Sequence, residues 1–264
     1  LRSPVEVVDE VEEVIKHIAP RTFEFVDSTF NVPEHHAMEI CEEIIRRNLK
    51  VNFTAMGINP ISTSRKLFTL MKRAGFNSMM VTPDAANDTM LRNLNTGFLS
   101  EKVYKAARLI KESGIHSTWF FMLGGPGETR DSADETVSFV ERELHSKQFL
   151  SIFMVGIRIL PGTELARRAL DQGYLKPDAN LVEPTFYLSP HVKEKWMIQR
   201  INQAVQKQPN IVLAADEGQS IAEVILHKGL RLFDIAPPYW RFLPKMLSVP
   251  LLYSLRKYNL SSVN

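Results

Sequence analysis

Polar and charged side chains occur where five short apolar runs of the sequence end. Carboxylates can hold the hydroxyl or ammonium groups of a ligand, and an arginine can hold a carboxylate. The residues concerned are Asp27, Ser28, Thr54, Asp84, Glu128 and Arg158. Each of the short polar residues taken singly is also common as a helix cap or in a turn. Their succession at five run ends favours a shared ligand-binding rim.

Residues 120 to 129 read FFMLGGPGET, an apolar run that stops at three glycines and a proline. The stretch lacks the Lys-Ser/Thr of a P-loop and does not fit the G-x-G-x-x-G spacing. Gly124 and Gly125 would let bare backbone lie against a planar or extended ligand, and Glu128 and Thr129 would begin the next helix. The alternative is a turn that needs glycine for its positive φ, and the sequence favours neither reading over the other.

The composition bounds the class of protein. The chain has 264 residues, of which 44% are hydrophobic and 23% charged, as in ordinary soluble globular proteins. Its net charge of +2 indicates no nucleic-acid partner and no strong membrane partner. The single cysteine, Cys41, excludes an internal disulfide framework and indicates a reducing compartment, which we expect to be the cytoplasm. It also excludes a metal site built from cysteines of this chain.

Strand and helix patterns alternate over the first two thirds of the chain. Strands are predicted at 22–26, 51–56, 78–82, 118–123 and 152–160. Helices are predicted at 4–18, 34–48, 62–74, 100–113, 131–145 and 163–172, with Ser100 as the cap of the fourth. This order predicts an α/β fold with a parallel sheet. Ligands of such folds gather at the carboxyl ends of the strands.

The alternation fails after Gly173, where prolines break up a loop-rich stretch. We predict a core at 1–175 and a mainly helical extension at 176–264, with helices at about 191–207 and 219–233 and a short apolar run at 211–215. The tail PPYWRFLPKMLSVPLLYSLRKYN is apolar, aromatic and basic. It could lie on a membrane surface, but packing on its own domain or on a further domain is favoured.

The chain resembles the core of a radical S-adenosylmethionine (radical SAM) enzyme, of the type in which a cobalamin-binding domain precedes the radical domain. The matching stretches are RSPVEVVDEVE, FEFVDSTFN, MKRAGFNSMMVTPDAANDTMLRNLNTG, FFMLGGPGET and VGIRILPGTEL. The resemblance implies a partial parallel (β/α) barrel, TIM-barrel-like, of six strands. In this family the first strand leads into a CxxxCxxC loop that holds a 4Fe–4S cluster. The cluster cleaves bound S-adenosylmethionine and releases a 5′-deoxyadenosyl radical.

The resemblance also assigns residues to the cofactor. Asp27 and Ser28 are similar to the segment that meets the methionine amino group, and Thr54 lies in the region that faces its carboxylate. Asp84 is similar to the acidic position that takes the ribose hydroxyls, although Asp-Ala-Ala stands here where many relatives have Glu-Ser-Gly. The remaining assigned positions form the glycine motif and the last strand beside the adenine: Gly124, Gly125, Gly127, Glu128, Ile157 and Arg158.

One departure from the family pattern is large, because the chain contains no CxxxCxxC. A 4Fe–4S cluster needs several thiolates, and Cys41 is predicted on the apolar face of a helix. We expect a fragment whose first barrel strand, with the cluster ligands and any cobalamin domain, lies upstream. The alternatives are a cluster-less, non-catalytic relative that binds S-adenosylmethionine or another nucleotide, and an unrelated barrel enzyme in which GGPGE cradles a phosphate. The substrate, a small molecule, stays unknown.

Overall fold

The computed structural model describes residues 1–20, 22–214, 235, 237–243 and 245. Strands and helices alternate along the chain. The strands are β1 (Thr22–Phe25), β2 (Asn52–Ile58), β3 (Phe76–Asp84), β4 (His116–Leu123), β5 (Phe149–Val155), β6 (Ile157–Arg158), β7 (Phe186–Tyr187) and β8 (Ile211–Leu213). The helices are α1 (Pro4–His17), α2 (Glu34–Arg46), α3 (Arg65–Ala74), α4 (Asp88–Asn93), α5 (Ser100–Ser113), α6 (Arg130–Glu143), α7 (Glu164–Asp171) and α8 (Glu194–Lys207), with a 3-10 turn at Tyr239–Phe242.

Six strands form one parallel sheet in the order β1-β2-β3-β4-β5-β8. The predicted α/β class with a partial parallel barrel is confirmed, and each of the five predicted strands contributes to this sheet. The sixth strand comes from the apolar run at 211–215, which the sequence had not assigned to the sheet. It pairs with β5, so that the C-terminal extension supplies one edge of the core.

The predicted strand at 152–160 is wrong in its extent. β5 ends at Val155, and Gly156 follows with φ +87°. Beyond that glycine, β6 leaves the sheet and pairs antiparallel with β7. Ile157 and Arg158 therefore lie in a separate two-stranded ribbon rather than in the last barrel strand.

The helix predictions hold with small changes at their ends. α3 begins after Ser64, whose hydroxyl accepts the Leu67 N–H, and ends at Gly75 with φ +99°. Ser100 lies inside α5 and Leu99 is its cap, which corrects the predicted start. The short α4 was not predicted, because six residues are too few for a helical period to show. The predicted helix at 219–233 lies outside the described residues.

Aromatic rings pack on the helix-covered side of the sheet. The ring centroids of Phe25 and Phe76 are 5.7 Å apart, and those of Phe53 and Phe76 are 5.4 Å apart. Phe121 of β4 meets Phe139 of α6 edge-on at 6.1 Å. Because side chains alternate along a strand, the neighbouring residues of each strand point to the opposite face.

A row of polar residues crosses that opposite face near the amino ends of the strands. Glu24 is in register with Thr54, Thr54 with Ser78, and Ser78 with His116. Thr54 is only 2% exposed, and its hydroxyl has no hydrogen-bond partner among the residues that the structure describes. This row marks the end of the sheet that lies away from the carboxyl-end rim.

The described part of the C-terminal tail also lies at this amino end. The Thr22 hydroxyl donates a hydrogen bond to the Pro237 carbonyl at 2.9 Å. Burial, together with Lys245 and Arg241, lowers the pKa of His116, the first residue of β4. These contacts agree with the favoured expectation that the tail packs on its own domain. Among the helices that the structure describes, none combines the length and the apolar character needed to cross a membrane.

Candidate functional site

The carboxyl ends of β1 to β5 share one edge of the sheet, because the strands are parallel. Asp27 and Ser28 follow β1 and are exposed there. Asp84 is the last residue of β3, and Gly124 follows β4 directly. The structure thus brings together predicted residues from three strand ends. Their assignment to a cofactor stays a prediction.

Thr54 does not belong to this edge. It is the third residue of β2, which continues to Ile58. Four further residues at about 3.3 Å each separate it from the carboxyl end by about 13 Å. The predicted strand ended at residue 56, which placed Thr54 too near the rim.

Asp84 is the most unusual carboxylate of the described residues. Its backbone has φ +64°, a left-handed conformation that is uncommon for a residue other than glycine. The side chain is half-buried, and burial raises the pKa of its carboxyl to about 6. Among the described residues no hydrogen bond or ion pair to this carboxylate is present. A strained, desolvated carboxylate at a strand end is a strong candidate for contact with a ligand.

The Glu128 carboxylate, in contrast, points into the protein. Glu128 is 0% exposed, and one of its carboxylate oxygens accepts the Gly124 N–H at 3.2 Å. The other oxygen accepts the Ser132 hydroxyl. Burial raises the pKa of Glu128, while these two hydrogen bonds act in the opposite direction. The Glu128 side chain thus bonds back to Gly124, at the start of the loop formed by residues 124–128. Because the carboxylate is buried, a direct contact with a ligand does not fit its position.

The glycines of this loop make room for the chain's own side chains. Gly124 and Gly127 have φ values of +94° and +78°, as the turn reading requires. A Cβ atom added at Gly124 would lie 2.9 Å from Leu188 Cδ2. One added at Gly125 would lie 3.0 Å from both Ile157 Cδ1 and Met90 Cε. The expectation that these two glycines leave open space for a ligand is therefore corrected.

Helix α4 ties the end of β3 to the loop at 124–128. The Asn87 side chain caps α4 and donates to the Ser132 carbonyl at 2.9 Å. Asn93, at the other end of α4, donates to the Pro126 carbonyl, also at 2.9 Å. The loops after β3 and β4 therefore form one rigid unit.

Two residues at the predicted strand ends, to which the sequence analysis assigned no role, fix the other half of the rim. Gly57, near the end of β2, has φ +64°, and a Cβ there would lie 2.1 Å from the Ser28 carbonyl oxygen. Asn31 is fully buried, and its side chain donates to the Asn59 carbonyl at 2.9 Å and accepts the Asn59 N–H at 2.8 Å. Both residues follow predicted strands, which was a usable signal for their position, but the sequence did not reveal their contacts.

The residues present do not fit an iron–sulfur cluster. Cys41 is 0% exposed inside α2, and burial raises the pKa of its thiol to about 12. A cluster ligand must be a thiolate, and a cluster needs several of them. Within the described part of the chain, no group of three or more His, Cys, Asp or Glu side chains could hold a metal ion.

A cleft of about 670 Å³ lies between α1 and β1. Its lining includes Val7, Val11 and Val14 of α1 and Phe23 of β1. β1 stands at the end of the strand order, so one side of this strand has no strand partner among the described residues. Unpaired backbone beside an apolar cleft is suited to receive a further strand.

The fold is that of a TIM-barrel-like α/β protein, and its candidate ligand-binding rim lies at the carboxyl ends of the parallel strands. The sequence model of the Radical SAM superfamily matches residues 1–140, and the chain belongs to this superfamily. The anaerobic magnesium-protoporphyrin IX monomethyl ester cyclase of Rubrivivax gelatinosus is 31% identical over 140 residues, which are 52% of this chain and 25% of that protein. An uncharacterized methyltransferase of Pyrococcus horikoshii is 24% identical over 137 residues, 52% of this chain and 29% of that protein.

Solved structures agree on the fold. The radical SAM methyltransferase TsrM of Kitasatospora setae, with cobalamin and a 4Fe–4S cluster bound, has a TM-score of 0.74 at 19% identity. The match covers 93% of this chain and 54% of that one. Coproporphyrinogen III oxidase of Escherichia coli, a radical SAM enzyme, has a TM-score of 0.50 at 16% identity, over 86% of this chain and 52% of that one. The chain thus spans about a quarter of the curated relatives and about half of these structures.

Proposed function

We propose that this chain is the S-adenosylmethionine-binding core of a radical SAM enzyme. The observation that carries the proposal is the unpartnered, desolvated Asp84 carboxylate, which α4 connects to the loop at 124–128. A carboxylate of this kind is suited to accept hydrogen bonds from the two ribose hydroxyls. Membership of the superfamily supports S-adenosylmethionine as the nucleoside. It leaves no support for an unrelated barrel enzyme that binds a phosphate.

Each rim segment has a part in this proposal. The exposed turn at Asp27 and Ser28 would meet the methionine end, and the loop at 124–128 would lie beside the adenine with its exposed glycine, Gly127, while Gly124 and Gly125 shape the loop from within. Ile157 would add apolar surface, with the exposed Arg158 next to it. Thr54 is left out, because its hydroxyl is buried well below the rim. Glu128 would act on the cofactor only through the loop that it closes.

The cleft beside β1 is where we place the cluster-bearing strand of the family. A strand paired to the open side of β1 would extend the parallel sheet and bring its loop to the same edge as Asp27. The cluster, when bound to that loop, would supply the electron that cleaves S-adenosylmethionine. Cobalamin is proposed for the whole protein only, on the strength of the structural neighbour that has cobalamin bound.

Binding of S-adenosylhomocysteine to the purified chain tests the proposal. Calorimetry is expected to show weak but saturable binding, because the described residues supply the proposed rim but no ligand for a cluster that would hold the methionine end. Ribose 5-phosphate, titrated in parallel, is expected to give no heat of binding. Tighter binding of the sugar phosphate than of S-adenosylhomocysteine would contradict the nucleoside site.

Anaerobic reconstitution of the same chain with iron and sulfide is expected to yield no stoichiometric 4Fe–4S cluster. The reason is that Cys41 is the only thiol, and it is buried and protonated at neutral pH. Iron and sulfide analysis together with electron paramagnetic resonance would measure the outcome. The Cys41→Ala variant serves as control and should retain as little iron as the unmodified chain. About one cluster per chain, lost in that variant, would show the assignment to be wrong.

A further inference from the structure

The C-terminal extension sits directly on the ends of two central strands. Gly124 after β4 and Gly156 after β5 both have positive φ, and the Gly156 N–H donates to the Leu123 carbonyl at 2.8 Å. A Cβ at Gly124 would lie 2.9 Å from Leu188 Cδ2, and one at Gly156 would lie 3.1 Å from Phe186 Cβ. The two glycines therefore form a seat for the segment at 186–189.

Ser189, at the end of this segment, is bonded twice to the loop at 124–128. Its backbone N–H donates to the Gly124 carbonyl at 2.8 Å. Its hydroxyl donates to the Glu128 backbone carbonyl, also at 2.8 Å. Ser189 is only 2% exposed, so water cannot readily replace either bond.

The loop is thereby held at both of its ends. Gly124 has its N–H bonded to the Glu128 carboxylate and its carbonyl bonded to Ser189. The Glu128 carbonyl is bonded to the Ser189 hydroxyl. A backbone with both ends fixed in a buried setting presents the atoms between them in one conformation, which is what a binding surface needs.

We infer that Ser189 is a positioning residue for the nucleoside site, through which the C-terminal extension sets the conformation of the loop at 124–128. The inference rests on the proposed function, since it takes this loop to be part of the cofactor site. If the inference is correct, the C-terminal extension, which begins after the predicted boundary at 175/176, contributes to the nucleoside site. Ser189 itself touches no ligand in this account.

The test compares Ser189→Ala, Ser189→Thr and a control, Ser113→Ala. Ser113 donates its hydroxyl to the Ile110 carbonyl at 2.7 Å, a local bond at the amino side of β4 and away from the rim. Ser189→Ala is expected to weaken S-adenosylhomocysteine binding about tenfold, as the loss of one buried hydrogen bond allows. Hydrogen exchange of the peptide covering 123–132 should become faster. Ser189→Thr keeps the hydroxyl and should preserve both properties, as should Ser113→Ala.

The outcomes separate this inference from the proposed function. If the unmodified chain binds no S-adenosylhomocysteine, the proposed function fails, while hydrogen exchange still reports whether Ser189 holds the loop. If that chain binds and Ser189→Ala binds equally well, the positioning role is wrong. A loss in Ser113→Ala as large as in Ser189→Ala would assign the effect to general stability. Equal losses of binding in Ser189→Ala and Ser189→Thr would assign the effect to side-chain packing. Each of these last two results would overturn the inference.

Discussion

Replacing Gly57 by alanine is expected to destabilise the protein by roughly 3–5 kcal/mol, among the larger effects of a single substitution. Two costs combine. The left-handed backbone at φ +64° costs a residue with a Cβ about 1–2 kcal/mol. The new Cβ would also lie 2.1 Å from the Ser28 carbonyl oxygen and 2.6 Å from that of Asp27. Backbone atoms at this distance must move, so the turn after β1 has to shift.

Gly114→Ala is the matched control for this substitution. Gly114 has a nearly identical φ of +68°, and a Cβ there would have nothing within 4 Å. It should therefore show only the conformational cost, about 1–2 kcal/mol. Urea unfolding of both variants measures the difference, and calorimetry should show weakened nucleoside binding in Gly57→Ala alone. Equal midpoints for the two variants would mean that the turn at Asp27 and Ser28 yields without cost.

Replacing Asp84 by asparagine is expected to stabilise the protein at neutral pH and to weaken nucleoside binding. The carboxyl has a pKa of about 6 when folded, against an ordinary value of 3.8. Below about pH 3 the carboxyl is protonated in both the folded and the unfolded chain, so it adds no cost to stability. As the pH rises from about 3 to 6 the unfolded chain loses the proton first, so the stability of the unmodified protein falls. Above pH 6 the cost is complete, at most about 3 kcal/mol.

Asparagine removes the charge and tolerates the left-handed backbone. Its stability advantage should be present at pH 7.5 and should vanish near about pH 3, as measured by urea unfolding at both values. Asp88→Asn is a control of opposite sign, because hydrogen bonds from Ser100 lower the pKa of Asp88. That variant should lose stability at neutral pH. A pH-independent difference for Asp84→Asn would show that its carboxylate is not desolvated.

The parts of the fold that were predictable from the sequence are those with a local cause. Continuous apolar runs followed by polar or glycine residues predicted five strands, and Gly75 and Gly114 marked two helix ends correctly. The position of a side chain along its strand was harder to predict from the sequence. The predicted end of β2 was two residues too early, and this error placed Thr54 at the rim. Gly156 stood within an apolar run, and only its packing against β7 shows that the strand stops there.

The candidate site was predictable as a set of strand ends, while the roles within it were not. Glu128 was taken as a contact to the cofactor, since sequence does not reveal that its carboxylate bonds to Gly124 and Ser132. Ser189 follows a proline-rich stretch without a pattern of its own, and its two bonds arise from distant segments. The cytoplasmic location and the domain boundary at 175/176 stay predictions.

The hydrogen bond between Thr22 and Pro237 has a consequence for the order of folding. It joins residues 215 positions apart, so it closes one of the longest loops in the chain. At a synthesis rate of 5–20 residues per second, β1 leaves the ribosome about 10–40 s before its partner exists. During that interval the amino ends of the strands are uncovered, and contacts of such high order slow folding. Nascent chains of this protein should therefore complete this contact only after the segment that carries Pro237 has been made.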